Sequence, residues 1–228
     1  MAKILQIETA TQTCSVVLAI DGVNVALKEE TANNIHAGSL TLFIEEVMLQ
    51  ASLSYHDLDA IAVSKGPGSY TGLRIGVSTA KGLSFALDKP LIAVDTLAMM
   101  ANGFLIANPD YKGLVCPMID ARRMEVYTCL FNHEMEILAP ITAKIIEADS
   151  FQSELQNNQV TFIGDGALKC SELLQNTNAI FSTLIVNSAA NMSQLALTAY
   201  RIEKFENVAY FEPYYLKDFV FTAPKKKV

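Results

Sequence analysis

Apolar and polar positions switch between a period of two and a period near 3.6 along this chain, and the switches mark out two similar runs of elements. Residues 3–8 are apolar and end in the carboxylate of Glu8, the pattern of a buried strand. Residues 13–20 predict a second strand, Asp21-Gly22 a hairpin turn and residues 23–29 the returning strand. Asn33 or Asn34 then caps a helix running to about Gln50. Its core stripe is Leu40, Phe43, Ile44, Val47 and Met48, at the spacing of one helix face. Leu42 and Leu49 fall outside the stripe, so the apolar surface is wider than one core contact needs. A strand at 60–64 leads through a glycine-rich loop into a helix over 71–87, whose only charges are Arg74 and Lys81. Small residues at Gly76, Ala80 and Ser84 on that helix admit a close neighbour. A strand at 91–94 and a helix at 96–104 complete the first run.

After Asn108-Pro109-Asp110 the order begins again. Strands are expected at 114–119 (ending in Asp120), 125–131 and 137–146, followed by a helix at 149–156 and a strand at 160–163. Gly164-Asp165-Gly166, a helix to about Gln175, a strand at 184–186 and a helix at 191–204 follow. Both runs read β-β-β-α-β-α-β-α. Glu8 lines up with Asp120, and Gly66-Pro67-Gly68 with Gly164-Asp165-Gly166. Two such halves, each with a carboxylate closing its first strand, predict an α/β protein of the actin-like ATPase (ASKHA) superfold with RNase H-like halves. The expected division is residues 1–105 together with about 205–228, against a truncated second half at 106–204.

Composition narrows the function. The 228 residues suffice for a large core, and 17 basic against 24 acidic residues give a net charge of −7. Such a chain lacks the basic footprint of a main nucleic-acid-binding surface. Cys14, Cys116, Cys129 and Cys170 form no C-x-x-C pair and sit among apolar neighbours, as buried reduced thiols of a cytoplasmic protein do. Glu8 arrives too early for a signal peptide, and no apolar run reaches membrane-spanning length. Lys225-Lys226-Lys227 reads as a solvated tail rather than an import signal.

The candidate chemistry centres on residues 66–76, Gly-Pro-Gly-Ser-Tyr-Thr-Gly-Leu-Arg-Ile-Gly. A glycine loop entering a helix suits an anion. Yet the spacing is neither a P-loop nor G-x-G-x-x-G, since Thr71 stands where the third glycine belongs. The loop is therefore read as the corner launching its helix, with anion binding as the alternative. A phosphotransferase would draw on Glu8 and Asp120 for a metal–nucleotide complex, but the first turn, Thr9-Ala10-Thr11-Gln12-Thr13, has no glycine to close on phosphate. His36, His56 and His133 make no metal-binding spacing. A nuclease would need a carboxylate cluster and a basic groove, and a peptidase a nucleophile with a base or a metal. Asp120-Ala121-Arg122-Arg123 is a dense polar insert, in which Asp120 either neutralises an arginine or leaves both arginines to a partner or anion.

Five motifs in order give the chain a family resemblance: residues 4–11, 66–76, 120–127, 164–166 and 213–217. Together they resemble the TsaB (YeaZ) family. The pattern departs at Glu8, where that family usually has Asp. The resemblance implies an accessory subunit without catalysis or a cofactor of its own. Its catalytic partner is a TsaD-type subunit carrying a metal-binding H-x-x-x-H. That partner transfers a threonylcarbamoyl group to adenosine 37 of tRNAs reading codons that begin with A. A TsaE-type ATPase, ATP and Mg used by the complex, tRNA contact only through the complex, and a homodimer when the partner is absent are further implications. The pairing surface would be the helices at 34–50 and 71–87, with Leu42, Leu49, Leu73, Gly76, Val77, Ala80, Leu83 and Leu87 at the interface. Gly66, Pro67, Gly68, Ser69, Thr71, Gly72 and Arg74 form the family loop, and Glu8, Asp120, Arg122, Gly164 and Gly166 are candidate cleft residues.

Overall fold

In the computed structural model, which describes residues 1–32, 34–184 and 187–217, the strands form two five-stranded sheets of the same plan. The first comprises β1 (Lys3–Glu8), β2 (Thr13–Ile20), β3 (Val23–Thr31), β4 (Ala60–Gly66) and β5 (Leu91–Asp95), in the order β3-β2-β1-β4-β5. The second comprises β6 (Leu114–Asp120), β7 (Glu125–Phe131), β8 (Ile137–Ile145), β9 (Val160–Ile163) and β10 (Ala179–Phe181), in the order β10-β9-β6-β7-β8. In each sheet the first strand of the half lies at the centre. It pairs antiparallel with the hairpin strand that follows and parallel with the fourth strand. The β2–β3 turn closes because Asp21 and Gly22 both take positive φ, 48° and 77°, the conformation a two-residue hairpin turn needs.

The helices are α1 (His36–Gln50), α2 (Tyr70–Leu87), α3 (Thr96–Ala107), α4 (Gln152–Asn157) and α5 (Ser193–Arg201). Alternation along β1 sets the layers. Leu5 and Ile7 face α1 and α2 in one core with Leu40, Phe43 and Val47. Ile4 faces the opposite way, into a core shared by both sheets. That core holds Val17 and Ile92 of the first sheet, Val115 and Phe131 of the second, and Leu97, Met100 and Phe104 of α3 between them. Although read into the second repeat, α5 packs against β1, β3 and β5. A third core around Cys116, Phe162, Phe151 and Leu155 covers the outer side of the second sheet.

The structure moves several expected boundaries. Asn34 is left-handed (φ 58°) and the helix starts at His36 after Ile35, with no side-chain cap; Asn33 lies outside the described residues. The helix expected up to Gln175 is one 3₁₀ turn, Leu168–Cys170. The last parallel strand is Ala179–Phe181, and Leu184, expected to open a strand at 184–186, is not in one. Residues 185 and 186, and the basic tail at 225–227, lie outside the described residues. The helix expected at 191–204 divides into a 3₁₀ turn, Ala189–Met192, and α5.

Candidate functional site

The glycine loop is built against the β1–β2 turn. Gly66 has φ 113°, and a Cβ there would stand 2.7 Å from the Tyr214 carbonyl oxygen. A Cβ at Gly68 would lie 2.4 Å from the Ala10 carbonyl oxygen, one at Gly72 2.1 Å from that of Thr9, and one at Gly76 2.2 Å from Thr9 Oγ1. Three glycines therefore let the start of α2 rest on a single turn of backbone. Three amides of the loop and first helical turn are engaged within the chain. Ser69 N–H donates to the Ala10 carbonyl at 2.6 Å, Gly72 N–H to Ser69 Oγ at 3.2 Å and Leu73 N–H to the Ser69 carbonyl at 2.8 Å. Thr9 Oγ1 closes the joint by donating to the Gly72 carbonyl at 2.8 Å. This is the geometry of a corner.

The segment at 205–217 covers the same corner. Tyr214 N–H donates to the Lys65 carbonyl at 2.7 Å, and the Tyr215 and Tyr70 rings lie 4.7 Å apart. Arg74 stands 4.3 Å over the Tyr70 ring and donates to the Tyr215 hydroxyl at 3.4 Å. Lys81 donates to the carbonyls of Ala209 and Phe211. The two charges of α2 thus hold the returning chain, and Thr71 is exposed.

The expected partner face requires correction. Leu73, Gly76, Val77 and Ala80 are buried inside the chain, because this side of α2 lies on the first sheet and the Thr9 turn. Leu83 and Leu87 are half-buried against the same core. The exposed apolar residues of the outer helices are Leu42 (55%) and Leu49 (70%) on α1 and Phe85 (83%) on α2. Phe85 was missed by the sequence reading. Its signal is a phenylalanine on the face that also carries Ser78 and Gly82, where polar or small residues stand.

The cleft residues also separate. Glu8 is fully buried: its Oε1 accepts from Ala10 N–H, and its Oε2 has no hydrogen-bond partner. Burial pushes its carboxyl up to about 7, against the pull of the nearby Ser64 hydroxyl and the Ala10 amide. By contrast, Asp120 is exposed, ion-paired with Lys169, and accepts from Arg122 N–H at 2.8 Å. Its salt bridge comes from Lys169 and not from Arg122 or Arg123, whose φ values of 72° and 52° form the tight turn before β7. Asp165, raised chiefly by burial, accepts from Asp120 N–H at 3.2 Å. Gly164 mirrors Gly66 with φ 96°, and a Cβ at Gly166 would meet the Ile119 backbone at 2.9 Å. A cavity of about 390 Å³ opens between the halves, bordered by Thr11, Gln12 and Thr13 on one side and Asp120, Gly164 and Asp165 on the other. Glu8, Arg122 and Gly166 do not border it. His36 is buried, with Nε2 2.7 Å from the Thr11 carbonyl oxygen.

Two sheets of one plan, each with a carboxylate at the end of its central strand, place the chain in the actin-like superfold. The model of the family described as TsaD: tRNA N6-adenosine threonylcarbamoyltransferase matches residues 28–223. The chain is 30% identical to the tRNA threonylcarbamoyladenosine biosynthesis protein TsaB of Escherichia coli K12, over 95% of each chain. YeaZ from Pseudomonas aeruginosa superposes with a TM-score of 0.79 at 26% identity, covering 95% of this chain and all of that one. The tRNA N6-adenosine threonylcarbamoyltransferase of Staphylococcus haemolyticus is 43% identical, but over only 40% of this chain and 25% of the transferase. The chain belongs to this threonylcarbamoyltransferase-related family, in its TsaB (YeaZ) branch.

Proposed function

We propose that the chain serves tRNA threonylcarbamoyladenosine biosynthesis as a subunit without catalysis of its own, binding and activating a TsaD-type transferase. The observation that carries this reading is the contrast in coverage: the TsaB relative aligns along nearly its full length, whereas the transferase aligns over a quarter of its own. The site agrees in kind. The Ser69, Gly72 and Leu73 amides are bonded within the chain, and Glu8 is buried away from the cleft. The surface offered to the transferase is then the exposed apolar side of α1 and α2, with Leu42, Leu49 and Phe85 as its contacts. In this reading, ATP and Mg act elsewhere in the assembly, a TsaE-type ATPase joins it, and tRNA meets the chain only through the complex. The same helices make a homodimer when the transferase is missing.

Reconstitution of tRNA modification with and without this chain tests the role. Modification should need the chain, and Leu49→Arg and Phe85→Glu should each abolish co-purification with the transferase subunit. Both residues are mostly exposed, so the melting temperature of the isolated chain should not move. Full modification in its absence, or pairing that survives both substitutions, rejects the assignment.

A further inference from the structure

The outer face of α2 carries charge as well as apolar surface. Arg74, Ser78, Lys81 and Phe85 stand at i, i+4, i+7 and i+11, so they form one stripe along the helix. Arg74, Ser78 and Phe85 are exposed and Lys81 is half-buried. The returning segment runs beside this stripe, and the two enclose a groove of about 440 Å³ bordered by Arg74, Ser78, Lys81, Phe211, Glu212 and Tyr215. Among the described residues neither Arg74 nor Lys81 is ion-paired. Lys81 gives two of its three ammonium donors to carbonyls, and Arg74 gives its Nε to the Tyr215 hydroxyl, which leaves donors on both for a further acceptor. Glu212 acts on Arg74 without closing an ion pair, so the groove holds two cations against one carboxylate. An anion fits this charge, and two features choose its source. The chain as a whole carries −7 and lacks the basic footprint that a nucleic acid requires. Phe85, 83% exposed, continues the stripe one turn beyond Lys81, which suits a protein surface where carboxylates adjoin apolar side chains. We infer that the partner surface received on α2 is acidic, with Asp or Glu side chains of the partner docking on Arg74 and Lys81 beside the apolar contact at Phe85. The inference rests on the transferase reading above and adds to it the charge of the face that the partner presents. Such pairing speeds association and rejects partners with a basic face.

Ser78→Asp tests it, because a carboxylate between the two cations competes with one arriving from outside, and Ser78→Ala is the control for lost shape. Ser78 is exposed, so neither change should move the melting temperature of the isolated chain. Binding of the TsaD-type subunit is titrated by calorimetry at about 50 mM and about 300 mM NaCl. At the lower salt Ser78→Asp should weaken binding about tenfold or more, and Ser78→Ala less than about twofold. The parent should lose affinity as salt rises, and the gap between parent and Ser78→Asp should narrow. Equal affinities of parent and Ser78→Asp at low salt, an equal loss in Ser78→Ala, or a gap that does not change with salt overturns the inference. If one of these outcomes accompanies a Phe85→Glu that still abolishes pairing, the transferase reading stands and only the acidic face is rejected. A parent that does not pair at all rejects both. Binding of tRNA to the isolated chain that Ser78→Asp removes would assign the stripe to a nucleic acid and overturn the inference as well.

Discussion

Glu8 closes the central strand of the first sheet inside the protein, so replacing it by glutamine tests the electrostatics of the shared core. Burial holds its carboxyl at about 7 in the folded chain, above the ordinary value of 4.5. Between these values the folded chain keeps a proton that the unfolded chain has lost. Stability is therefore greatest below the unfolded value and falls as pH rises through the folded one. Holding that proton across this pH range is worth about 3 kcal/mol, fully lost by about pH 8. Glutamine resembles the protonated acid and can still accept from the Ala10 amide, so Glu8→Gln should remove this loss. Urea unfolding of both proteins between about pH 5 and pH 8 reads it directly, since other titrating groups cancel in the difference. The variant should gain stability relative to the parent as pH rises. A difference that stays flat, or that favours the parent at high pH, would mean that Glu8 is charged in the fold and has a cationic partner.

Two further outcomes follow from the corner. Gly72→Ala places a methyl group against the Thr9 carbonyl, which is backbone and cannot rotate away; urea unfolding should show a loss of about 1–3 kcal/mol. Tyr215→Ala removes the ring packed on Tyr70 and the hydroxyl that Arg74 meets. It should cost about 1 kcal/mol and make the stretch at 205–217 more susceptible to limited proteolysis.

The strands were legible where alternation was strong and a turn signal bounded them. β1, β2, β7 and β9 begin and end where the pattern places them. The repeat, with Glu8 matched to Asp120 and Gly66 to Gly164, was legible for the same reason. Failures came where short segments compete. Ala179-Ile180-Phe181 is too brief to stand out beside the more apolar run at 184–186, yet it takes the place beside β9. The helix expected up to about Gln175 shortens to one 3₁₀ turn, since Leu168 and Leu173 are exposed and Leu174 reaches the core. Burial of Leu73, Gly76, Val77 and Ala80 inside the chain was not legible for a different reason. Periodicity shows that α2 has an apolar side, not what covers it, and Thr9 and the first sheet cover Gly76, Val77 and Ala80. Glu8 was placed at the end of the right strand, but its burial depends on neighbours distant in sequence.

The shared core also sets how the chain can come apart. Two repeats invite the expectation of two separable modules, each melting at its own temperature. Here α3 belongs to the first run of the sequence yet contacts β6, β7 and β9, while α5 belongs to the second and contacts β1, β3 and β5. Each repeat thus supplies a helix that the other's sheet requires. Cutting the chain between β5 and β6 would leave both fragments with bare apolar sheet faces, prone to aggregate rather than to fold. The duplicated protein should therefore unfold in a single transition by calorimetry despite its length, and a gene fragment encoding either repeat should yield no folded protein.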